Sequence, residues 1–94
     1  MRELDTLTAA DFEPLRGERF TIAPDDAPAF DAELVEVDEI ARGPGGRAPF
    51  SLVFEGGPTP PLLQRIHRVE HERLGAIEIF LVPIGPDRYE AVFT

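Results

Sequence analysis

Ninety-four residues with eighteen acidic and nine basic side chains carry a net charge of −9 and no cysteine. A chain of this size fits one core that buries roughly 60–70% of the surface exposed on unfolding, which is enough for stability without a disulfide or structural metal. The missing thiols exclude disulfide frameworks, thiolate metal sites and cysteine nucleophiles, and the negative field repels phosphate backbones and anionic lipid.

In chain order, the amino terminus moves straight from Met1 and Arg2 into charged and polar residues. It lacks the apolar stretch of about 7–15 residues that an export signal requires, so a cytoplasmic location is expected. Residues 7–17 read as one turn or a turn and a half of helix. Thr8 is a cap with Asp11 three residues on, Leu7 and Phe12 form a staple, and Pro14 and Gly17 end the element. Residues 18–23 alternate as a first strand, followed by a turn cluster at 24–28. A second strand runs from 30 to 41, with Val35 and Val37 on one face and Leu34, Glu36 and Asp38 on the other. Residues 42–48 are a glycine-rich loop. Pro49 opens a third strand in which Phe50, Leu52 and Phe54 share the core face.

Residues 56–61 form another breaker-rich connection. The last two strands, 76–83 and 88–93, are joined by a turn at Gly85, Pro86 and Asp87. Ile77, Ile79 and Leu81 alternate with Glu78, Phe80 and Val82, and Tyr89, Ala91 and Phe93 alternate with Glu90 and Val92. The apolar run from Ile79 to Ile84 is far below the ~20 residues of a membrane span, so no membrane partner is expected.

Residues 62–73 admit two readings. Leu62, Ile66 and Val69 have helical spacing between Pro61 and Gly75, which gives a helix of three turns. As a strand, the same segment puts Leu63, Arg65, His67, Val69 and His71 on one face and Leu62, Gln64, Ile66, Arg68 and Glu70 on the other.

The stretches Ala48-Pro49-Phe50-Ser51-Leu52-Val53-Phe54, Ile66-His67-Arg68-Val69-Glu70-His71, Leu74-Gly75, Ile79 to Gly85 and Tyr89-Glu90-Ala91-Val92-Phe93 occur in an order that resembles a small bacterial family of domains of unknown function, about 100 residues long. The opening Leu7-Thr8-Ala9-Ala10-Asp11-Phe12 also matches, while the region from Pro24 to Phe30 is least similar. The resemblance implies a mostly β domain with the segment at Ile66 to His71 a strand, and a position at His67 often held by tyrosine. It further implies genes sometimes placed near phage-tail-like or tail-collar genes, and no catalytic residue to carry over.

The candidate binding residues are Arg65, His67, Arg68 and His71. On a helix the two histidines would share one face at metal-binding distance; on a strand they lie about 13 Å apart, at roughly 3.3 Å per residue, and cannot share an ion. With the strand, no metal site and no cofactor are expected. Arg65, Arg68 and Arg73 concentrate positive charge that can pair with acids across the sheet or meet an anionic ligand, and intramolecular pairing is the favoured expectation. Ser51, the single serine, lacks the flanking glycines of a nucleophile elbow, and the glycine-rich loop lacks the lysine of a phosphate loop.

The expectation is therefore a single domain over residues 1–94. It is mainly β, an antiparallel six-stranded meander closing into a small barrel or sandwich around Phe20, Val35, Val37, Phe50, Phe54, Ile79, Leu81 and Phe93 after one short helical turn. The alternative is an α+β domain with a helix at 60–73. In function the chain reads as non-enzymatic, a protein-interaction or assembly module that presents a sheet surface or strand edges to another protein. The alternative function is a small-ligand or metal-binding accessory domain. Oligomeric state is open.

Overall fold

The computed structural model describes residues 7–25, 27–39, 49–57 and 64–93. The expected glycine-rich loop at 42–48, most of the connection at 56–61, and Leu62 and Leu63 lie outside the described residues.

The helical turn has the expected form. Helix α1 (Ala9–Phe12) runs directly into a 3₁₀ turn (Glu13–Leu15). The Asp11 carboxylate reaches back to accept the Thr8 backbone N–H at 2.8 Å, which satisfies a donor at the start of the helix. Gly17, at φ +89°, supplies the left-handed turn that ends the element.

Six strands follow: β1 (Arg19–Ala23), β2 (Phe30–Glu39), β3 (Phe50–Glu55), β4 (Arg65–His71), β5 (Gly75–Gly85) and β6 (Arg88–Phe93). All neighbours are antiparallel, and the sheet closes on itself as a barrel in the order β1-β2-β3-β6-β5-β4. A mainly β fold with a short helix near the amino terminus is the one expected, and of the two expected closures, barrel and sandwich, the chain forms the barrel. Its strand order departs from a single meander, in which β3 would pair with β4 and β6 with β1. Two three-stranded meanders, β1–β2–β3 and β4–β5–β6, are joined edge to edge through β3–β6 and β4–β1.

The helix alternative for 60–73 is corrected: Arg65–His71 is a strand, paired residue for residue with Leu81 to Gly75. Ile66 is exposed while His67, Val69 and His71 are buried, a period of two. Helical spacing of Ile66 and Val69 was coincidental, because pairing with two strands outweighs local periodicity.

Val35 is the second correction. A bulge between Leu34 and Glu36 resets the register, so Leu34 and Val37 both point inward and Val35 is only half-buried. One extra residue reverses the facing of everything on one side of it. The other seven expected core residues are buried.

The amino-terminal turn plugs one end of the barrel. Phe12 is fully buried, with its ring 5.8 Å from Phe50 and 5.6 Å from Phe93, which stack on each other at 4.4 Å. At the opposite end, Gly57 has φ +110°, and a Cβ there would lie 2.8 Å from the Phe30 ring. Only glycine lets the chain leave β3 so close to that ring.

Candidate functional site

The sequence-selected residues do not converge. His67 and His71 both point into the barrel from β4 and are buried. Being four residues apart on one strand, they are held well apart. Arg65 and Arg68 are exposed, and Arg68 is tied to Glu70 on its own strand at 2.6 Å. Ser51 faces outward between Asp38 and Val92. Among the described residues, no three His, Asp or Glu side chains gather where they could hold a metal ion.

His71 belongs instead to a polar cluster at the seam between β1 and β4. Glu18 precedes β1 and is fixed by its carbonyl, which accepts the Leu34 N–H at 3.0 Å. Its carboxylate meets His71 Nε2 at 2.8 Å and also accepts the Arg73 guanidinium. Those hydrogen bonds, from Arg73 first and His71 second, hold the Glu18 carboxyl below its ordinary value of 4.5.

The other ring nitrogen, Nδ1, accepts the backbone N–H groups of Arg73 at 3.0 Å and Leu74 at 3.4 Å. Nδ1 therefore carries no proton, and Nε2–H donates to Glu18. The ring also lies 4.6 Å from that of Phe20. Both ring nitrogens are thus engaged by groups of the protein. His71 braces the turn between β4 and β5 against β1. Beside it, Arg19, Thr21, Glu70, His71 and Glu72 line a shallow polar recess of about 310 Å³.

Sequence reasoning passed over Glu18, since only the barrel closure brings a residue before β1 to the end of β4. It also passed over the outer face of the second meander. Among the described residues, four large apolar side chains are exposed: Ile66, Phe80, Ile84 and Val92. Ile66 and Phe80 are direct partners across β4 and β5. The β5–β6 register is paired as far as Val82 and Glu90, and Val92, two residues past Glu90, faces outward on β6 beyond that last paired position. Ile66 and Phe80 thus form an apolar row across β4 and β5, extended along β5 by the half-buried Val82 and by Ile84, with Val92 outward on the neighbouring β6.

A signal for this face was present in the sequence. The run from Ile79 to Ile84 is apolar on both faces of its strand, whereas a strand with one wet face alternates. Six residues are too few for a membrane-spanning helix, and the second apolar face still lacked a cover. Among the described residues no helix is long and apolar enough to cross a membrane.

A closed, end-plugged antiparallel barrel with a polar brace at one seam and an apolar stripe outside defines a small β-barrel domain. Residues 7–93 match the family model described as "Domain of unknown function (DUF6916)", and the chain belongs to that family. No curated protein and no solved structure matches it.

Proposed function

We infer that this chain is a non-enzymatic protein-interaction or assembly module whose working surface is the outer face of β4–β5–β6. The observation that carries the reading is the apolar row Ile66–Phe80 with Ile84 and Val92 exposed on the same outer face and Phe80 itself 48% exposed. A contiguous apolar patch with an aromatic residue in the middle is typical of interface cores, whereas isolated surface hydrophobics carry no such meaning. The closed barrel directs this reading to a sheet face. Every described strand is paired on both sides, so a partner strand has no full-length free edge to join.

Two further observations support a non-catalytic role. His71 uses both ring nitrogens internally, and the net charge of −9 opposes binding to DNA, RNA or anionic membranes. The setting that fits the family resemblance is the cytoplasm of a bacterium, within a phage-tail-like structure.

A tagged chain recovered from its native host under mild conditions, beside a Phe80→Ser variant, tests the proposal. The expected result is a co-purifying protein that the variant loses while remaining folded. Recovery of both as lone monomers, with the pure chain binding or turning over a small metabolite, replaces this reading with the small-ligand accessory domain.

A further inference from the structure

Building on that reading of the face, we propose that its partner is a protein segment presenting an apolar side chain flanked by arginines or lysines. The basis is the charge around the row. Along β5, Glu78 sits two residues before Phe80 and points outward with it. On the other side of the row, Glu90 faces Val82 across β5 and β6. Neither carboxylate holds an ion pair among the described residues.

Two of the nearby arginines are paired with other carboxylates. Arg68 lies directly opposite Glu78, yet its guanidinium bonds Glu70. Arg88, at the start of β6, pairs with Glu55 at 2.9 Å. The row is thus bracketed by two uncommitted negative charges on a chain whose total is already −9. Such an arrangement repels an acidic partner and a second copy of this chain, and it attracts a basic one from beyond contact distance. The apolar row supplies the contact area, and the carboxylates set which partner reaches it.

A randomised library of displayed twelve-residue peptides, selected on the wild-type chain and counter-selected on Phe80→Ser, tests this directly. Enriched peptides should carry an apolar residue with Arg or Lys on both sides. Their affinity should fall about tenfold in the Glu78→Gln/Glu90→Gln double variant at low salt, with the difference shrinking as salt rises. Enrichment of acidic or uncharged peptides that still need Phe80 overturns the charge assignment and leaves the face standing. If nothing is enriched over the Phe80→Ser counter-selection, the face itself falls. Concentration-dependent dimerisation lost in Phe80→Ser puts a second copy on the row and overturns the basic-segment proposal.

Discussion

At the residue scale, the most constrained group is Glu18, which receives hydrogen bonds from both Arg73 and His71 and so joins β1 to the turn after β4. Its carboxyl is held below the ordinary value of 4.5, so the native state binds its proton more weakly than the unfolded chain does. The stabilisation is then present above about pH 4.5 and is lost as pH falls through the lower native value. Replacing the carboxylate isolates this contribution from the other seventeen acids. Glu18→Gln should melt below wild type at pH 7, and the two melting curves should converge on acidification below about pH 4.5. A gap that stays constant with pH, measured by circular dichroism, assigns the contact no ionic component. The same cluster explains why His71 was legible as a candidate but not in its role. A histidine's chemistry depends on what each nitrogen touches, and here the partners are 53 residues away in sequence or are backbone amides of a turn.

At the element scale, the amino-terminal turn is too short to persist alone and exists because Leu7, Phe12 and Leu15 seat in the barrel end. Phe12→Ala should therefore destabilise the whole domain by about 3 kcal/mol, as a fully buried aromatic does, and lower the denaturant midpoint without splitting the transition. A loss under about 1 kcal/mol would mean that the turn lies on the barrel without plugging it. Most of this was readable from sequence: capping residues, breakers and alternation are local, and they place the turn, five strands and seven of the eight expected core residues. The strand β4 was ambiguous because Ile66 and Val69 satisfy helical and strand spacing equally, and only pairing with β5 and β1 decides between them. The bulge in β2 left no local mark. Val35 and Val37 look equivalent in sequence, and the register shift against β3 separates them.

At the scale of the whole molecule, closure determines where function can reside. The order β1-β2-β3-β6-β5-β4 rests on two long-range seams, β3–β6 and β1–β4, whose partners no short-range signal announces, so the simple meander was the natural expectation. Once closed, the barrel has buried side chains inside and every described strand paired on both sides, so the proposed interaction is directed to the outer face. The strand β2 lies across the barrel from β5 and carries the outward, exposed Glu33, Glu36 and Asp38, a solvated face opposite the apolar row. The two faces make an internal comparison available. A photo-crosslinking phenylalanine analogue placed at position 80 and, separately, at position 33 reports in the native host which side of the barrel another protein touches. A discrete crosslinked product is expected from position 80 and none from position 33. Crosslinking from position 33 with none from position 80 would contradict the proposed interaction face.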